Sequence, residues 1–519
     1  MPKVNKIDSN VSGLRYAEEA SPKVLPGTPI WLPLEPNSYN DFGGEVTTLA
    51  RNPINDGRQK KKGVVTDLDA SGGFNTDLTQ INLRDMLQGF FFADRRDKGV
   101  QVVTAVDIDT VNADEYEVAS TTGFIVNNLI KGFGFNNVEN NDLNVITAVI
   151  ANTSVEVVTG QLVTETPPAD AYIQVVGIQS VVGNLEIDAT GTLPKLVSAA
   201  GINFTTMGLV VGEWVFIGGD GASLGFFETE NNGFKRISAI AATYLEFDKS
   251  AAVMTTDDGT INGAGGAGNT IQIFFGDVIK NEVGALIQRR SYQLERTLGV
   301  PDTDEPLEIQ SEYLTGSIPN EVTFNVNTAD KLTMDLSFVS MDHEQRSGLI
   351  GVKTGTRPVL VEADAFNTSS DFSRIKLSVI NPVSETPDPL FAFITELTLS
   401  VNNNVSPNKA ISVLGAFDAT AGTFEVTGSM TAYFSDVAAV AAVRQNSDVT
   451  LDMIIVKANA GIVVDIPLMA LGDGRANVEQ DQPITIPLSY DAATGVKNNA
   501  EINHTLLIQF FSYLPAIAG

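Results

Sequence analysis

Few residues of this chain have the type and spacing to do chemistry. Asp67, Asp69, Ser71 and Gly72 follow the spacing that opens a calcium loop, in which alternate side chains turn oxygens toward one cation. The twelfth position from Asp67 is Leu78, where such a loop needs a bidentate carboxylate, so calcium binding is not expected. The two histidines, His343 and His504, are far apart in the sequence, and neither stands near a serine or other side chain that would make a recognisable nucleophile and base pair. Both histidines read as ordinary surface or hydrogen-bonded residues. Among 63 Asp and Glu residues, nothing selects the two carboxylates that a glycosidase would need. The sequence predicts no enzyme, no metal and no cofactor.

Arg58-Gln59-Lys60-Lys61-Lys62, with Arg51 upstream, is a compact basic segment in a chain of formal charge −30. Arg51, Arg58, Lys60, Lys61 and Lys62 are therefore candidate inter-subunit contacts, poised for an acidic surface on an adjacent copy. A merely solvated loop is the plainer alternative, because exposed ion pairs contribute little.

The elements around these residues are short and alternating. With 519 residues and 43% hydrophobic content the chain can bury several cores, and two to four domains are expected. Gly and Pro fall mostly between period-two apolar runs, the pattern of a mainly β protein. Met1 to about Pro29 lacks periodicity and reads as an extended arm. Gly44–Leu49 and Gly63–Thr66 read as a long hairpin around the basic loop, and Gly72-Gly73 as a turn. Asn75 or Thr76 can cap a helix beginning near Asp77, with Leu78, Ile81, Met86, Leu87, Phe90 and Phe91 on one side. Downstream, Val322/Phe324/Val326, Leu332/Met334/Leu336/Phe338 and Leu397/Leu399/Val401 alternate as strands with one buried face.

Between about Gly99 and Val283 the texture changes, and an internal repeat is visible. Ile146–Val149 with Thr153–Val157 is echoed, about 90 residues later, by Ile237–Ile240 with Thr243–Phe247. Two tandem small β modules, 99–190 and 191–283, are expected as an insertion between the flanks 30–98 and 284–519. The inserted span carries 22 acidic and 6 basic residues, net −16, which suits a solvated outer surface better than a close-packed interface.

Acidity of this degree disfavours gripping phosphates, since counterion release needs clustered Lys and Arg. An acidic wall can instead face DNA without holding it. The absence of Cys means that cores and subunit contacts must hold the fold. No apolar run long enough for a membrane span is present and Met1–Asn10 lacks an apolar signal region, so the expected location is the cytosol or a particle assembled there.

Pro36 to Asp94 thus joins a strand pair, a basic loop, a Gly-rich turn and an amphipathic helix. Thr395 to Ser435 follows with a strand, the Asn402-Asn403-Asn404 turn, a Gly turn and further strands, and the Ser291–Arg296 and Leu332–Val339 strands lie between. This ordered set resembles the major tail tube proteins of bacteriophages with long, non-contractile tails. The resemblance implies a tail-tube β-sandwich or barrel core with a flanking α-helix, into which the two small β modules are inserted. It implies a structural virion protein, made in the host cytoplasm, whose copies form stacked rings around a lumen that passes phage DNA without tight binding. The partners it implies are other copies of the chain, a tape measure protein and a tail terminator protein. Each ring would be a hexamer, or a trimer with pseudo-sixfold symmetry if the loose parallel between Glu321–Ser340 and Thr423–Ser435 marks two fused tube modules. The insert would decorate the exterior. The alternative is a cell-surface, adhesin-like protein of several β domains that binds glycans, suggested by the tandem modules and the acidic charge.

Overall fold

The computed structural model describes residues 6–9, 12–54, 56–57, 59–81, 83–97, 101–103, 108–221, 223–260, 269–300, 309–391 and 393–519. The chain is mainly β, with several sheets and no closed barrel among the described residues, so the core is a sandwich. It opens with β1 (Gly13–Glu18), β2 (Leu32–Leu34), β3 (Pro36–Arg51), β4 (Lys61–Asp77) and helix α1 (Arg84–Phe91). The span read as an unpacked arm therefore holds β1, which pairs with β2 and buries Leu14, Tyr16 and Ala17.

The insert contributes β5 (Gln101–Val103), β6 (Ile108–Val111), β7 (Glu115–Val118), β8 (Asn128–Phe133), β9 (Leu143–Val145), β10 (Ala148–Ile150) and β11 (Ser154–Glu156). It continues with β12 (Tyr172–Gln179), β13 (Leu185–Asp188), β14 (Lys195–Ser198), β15 (Trp214–Ile217), β16 (Gly233–Ile240), β17 (Tyr244–Lys249) and β18 (Gln272–Phe274). The repeat seen in the sequence has a topological form. Strand order β6-β7-β11-β10 matches β13-β14-β17-β16. Each copy is closed by the same side-chain staple. Asn140 exchanges two hydrogen bonds with the Val163 backbone, and Asn231 does so with Thr255. Asn141 and Asn232 likewise hold the backbones of Phe135 and Phe226.

The chain then forms β19 (Asp277–Lys280), β20 (Tyr292–Gly299), β21 (Gln310–Asn327), β22 (Thr333–Ser340) and β23 (Asp342–Ser347). After a connection come β24 (Phe372–Val379), β25 (Asp388–Pro389), β26 (Ile394–Asn402), β27 (Ser406–Lys409), β28 (Ala416–Thr420), β29 (Glu425–Tyr433) and α2 (Ala438–Gln445). The last strands are β30 (Val449–Lys457), β31 (Ala460–Asp473), β32 (Thr485–Ala493) and β33 (Leu507–Phe511).

Outside the insert one arrangement occurs twice. In the first unit β1 pairs β2 and β20, β20 pairs β21, β21 pairs β22 and β23, and β4 pairs β22 and β3. In the second unit β24 pairs β25 and β30, β30 pairs β31, β31 pairs β32 and β33, and β29 pairs β32 and β26. Both helices end on a left-handed residue, Phe92 (φ 47°) and Asn446 (φ 50°), whose N–H closes the last turn. Residues confirm the match: Thr333-Met-Asp-Leu-Ser-Phe338 opens β22 as Thr485-Ile-Pro-Leu-Ser-Tyr490 opens β32. The counterpart of β29 is β4, so the parallel drawn from Glu321–Ser340 to Thr423–Ser435 set unlike strands side by side.

Two local expectations change. β4 runs on through Asp77, and the helix starts at Arg84. Asn75 donates to Asp335 and Thr76 to the Glu35 carbonyl, so neither caps it. Flanked by β3 and β22, β4 satisfies its backbone on both edges, which a lone helical turn cannot match. Gly72 and Gly73 are not a turn either; they sit within β4, where a Cβ on Gly73 would lie 2.5 Å from the Leu336 carbonyl oxygen. One continuous core fills both units, with Phe74, Phe90, Leu314, Phe338, Leu399, Met430 and Leu451 inside it.

Candidate assembly surfaces

The two units join edge to edge. β21 of the first pairs antiparallel with β26 of the second, from Glu321↔Asn402 to Asn327↔Glu396. A single run β3-β4-β22-β21-β26-β29-β32-β31 results. Its two ends are open: β3 pairs only β4, and Ala470–Asp473 of β31 pair only β32, among the described residues. An unpaired edge exposes N–H and C=O groups that can accept another strand.

Period-two alternation gives this run one core face and one polar face. On the polar face hydroxyls, amides and carboxylates bond to one another. Thr398 bonds Ser429 at 2.9 Å, Thr323 donates to Ser400 at 3.1 Å, and Ser400 donates to Glu321 at 2.8 Å. Asp335 accepts from Asn75 at 2.8 Å and Asn325 at 2.7 Å. No Lys or Arg occupies the face positions 321, 323, 325, 333, 335, 337, 396, 398, 400, 427, 429, 431, 487, 489 or 491. At these positions the surface offers a phosphate chain no cation to grip; Lys331, at its rim, is held by Asp77 at 2.7 Å.

The candidate basic residues lie on the hairpin arm. Arg51 ends β3 opposite Lys61 of β4, and Lys60, Lys61 and Lys62 are exposed; Arg58 lies outside the described residues. Val46, Leu49, Val64 and Val65 on the same arm are also exposed. The second unit's arm behaves differently. The Asn402-Asn403-Asn404 turn, with Asn404 at φ 49°, folds β27 and β28 back onto the first unit. Ala416 and Ala419 pack there against Phe92, Ile318 and Met341. Asp67 and Asp69, the residues that imitate a calcium loop, both take the Lys409 ammonium at 2.5 Å. Arg289 reaches Asp418 at 3.1 Å.

A sequence profile of phage tail tube proteins matches residues 9–492. The chain belongs to the phage tail tube protein family. No curated protein matches it. It is therefore a structural protein of the virion tail. No helix among its described residues is long and apolar enough to cross a membrane.

In this tail tube protein the insert departs from the first unit after α1 but is seated on the second. Leu129, Trp214, Phe216, Phe234 and Phe274 pack on Ile454, Val456, Val463 and Phe511. Under this contact lies a buried charge cluster. Asp465 of β31 takes Lys249 at 2.6 Å, Arg236 at 3.0 Å and the Trp214 indole N–H at 3.3 Å. Arg236 also meets Asp248 at 2.7 Å, and Asp452 holds Arg374. Burial alone would raise the Asp465 pKa, but Lys249 and Arg236 hold it below the ordinary carboxylate range.

Among the described residues neither histidine ring is hydrogen-bonded to a nucleophile or a carboxylate. His343 lies on β23. His504 is fully buried with neither ring nitrogen hydrogen-bonded, so it is neither a surface nor a hydrogen-bonded residue. Burial, then Lys280, pushes its pKa down to about 3. The open sheet edges and the buried cluster escaped sequence reasoning. The paired Thr-x-x-Leu-Ser-aromatic strands and the Ile318-Pro319 and Ile466-Pro467 pairs were the signal for the doubled unit.

Proposed function

We propose that three copies of this tail tube protein close a ring of six pseudo-equivalent units, and that stacked rings form the hollow tube through which DNA leaves the particle. One observation carries this reading. The chain already contains the contact between units, β21 with β26, and leaves β3 and the end of β31 as the corresponding open edges. Pairing β31 of one copy with β3 of the next repeats the internal junction and removes both edges. The polar face then lines the lumen, where DNA slides past carboxylates and hydroxyls. The insert, seated on β30, β31 and β33, decorates the exterior as two small β modules. Tape measure and terminator proteins are the partners at the lumen and the tube end, and assembly takes place in the host cytoplasm.

The experiment is electron microscopy of native protein with the mass of one ring measured. Six-lobed annuli containing three chains are expected. Six chains per ring would overturn the doubled-unit reading, and concentrated protein that stays a single globule would overturn assembly itself.

A further inference from the structure

We infer that the first unit's hairpin arm lies across the neighbouring copy within the same ring, on the base of that copy's own second-unit arm. This rests on the ring proposed above. Within one chain the corresponding contact exists: the second unit's arm lies on the first unit, its Lys409 on Asp67 and Asp69 at the base of the first arm. The two arms occupy equivalent positions, between β3 and β4 and between β26 and β29. What differs is that the second arm packs on a unit of its own chain, and no such packing is seen for the first arm among the described residues.

The first arm carries the marks of an absent partner. A two-stranded hairpin is marginal in water without a packed face, yet Leu49 and Val64 form an exposed cross-strand pair and Val46 and Val65 are exposed beside them. Its tip is basic, with Arg51 and Lys60–Lys62. Counting back from the Thr333↔Asp77 and Thr485↔Tyr433 pairs, Asp69 on β4 corresponds to Glu425 on β29. Glu425 is exposed. The acid that receives a lysine inside the chain thus has an acidic counterpart on the second unit, and the occupant that matches it is the basic arm of the next copy.

Because the protein has no Cys, Arg51→Cys with Glu425→Cys introduces the only thiols. Tubes of this double variant, mildly oxidised, are expected to give covalent products up to the number of chains in one ring, as counted by microscopy, and none longer. A ladder extending past the ring size would place the arm on a stacked ring and overturn the inference; assembled tubes without any cross-link would also overturn it. A second arm of the test needs no thiols. Glu425→Lys is expected to reduce ring formation at least tenfold, and Lys60→Glu/Lys61→Glu/Lys62→Glu in the same chain to restore it; wild-type assembly by Glu425→Lys alone counts against the contact. Wild-type protein that forms no rings refutes the ring reading instead, which separates the two failures.

Discussion

The Lys249 ammonium lies 2.6 Å from the Asp465 carboxylate, and neither side chain reaches solvent. Lys249 belongs to the insert and Asp465 to the second unit. Removing the carboxylate takes from Lys249 its nearest counter-ion, leaving Asp452 at 3.6 Å, and from Arg236 one of two, so in this dry site Asp465→Asn is expected to cost about 3–5 kcal/mol. Urea unfolding with proteolysis of the insert checks this. A loss below about 1 kcal/mol would mean that water reaches the cluster.

The asparagine staples predict a matched pair of effects. Asn140→Ala and Asn231→Ala each remove the two backbone hydrogen bonds of a buried amide, and each is expected to cost about 1–3 kcal/mol. The two sites share no hydrogen-bond partner, so the losses should add in the double variant. Thermal denaturation of the single and double variants decides; a strongly non-additive result would show that the two copies of the repeat are coupled.

His504 predicts a pH dependence. Its folded pKa of about 3 lies below the ordinary histidine value of 6.5, so on acidification the unfolded chain takes up the proton first. Stability from this group is complete above about pH 6.5 and is lost progressively as the pH falls toward 3. His504→Gln should flatten the stability curve over that window. An unchanged slope would assign the acid sensitivity to other groups. Gly212 offers a structural companion: its φ is +95° and a Cβ there would stand 2.5 Å from the His504 ring, so Gly212→Ala is expected to destabilise at every pH.

The polar face predicts a transport phenotype without an assembly phenotype. Thr427→Lys and Ser489→Lys place cations on neighbouring strands of the face. Tubes should form at wild-type yield, and genome release should slow at low salt and recover at high salt, as counterion-dependent binding does. Equal release rates at both salt concentrations would remove this face from the DNA path.

Much of the fold was legible in the sequence. Period-two runs such as Leu397/Leu399/Val401 became strands with those side chains in the core, because alternation reports directly which face is buried. The repeat in the insert was legible for the same reason. The start of α1 was not. Asn75 and Thr76 have the chemistry of helix caps, but their hydrogen bonds go to Asp335 and Glu35, far along the chain. His504 was misjudged because an isolated histidine says nothing about the insert that covers it, and Asp465 looked like one more acid among many. Charges paired across long sequence separations leave no local trace.

The insert leaves the polypeptide beside α1 and is bolted to β30, β31 and β33. Opening the angle between the two units therefore means breaking the β21·β26 seam and pulling on the chain that joins α1 to the seated insert. A flexing tail would find little compliance inside each chain, and its bending would concentrate at the joints between copies.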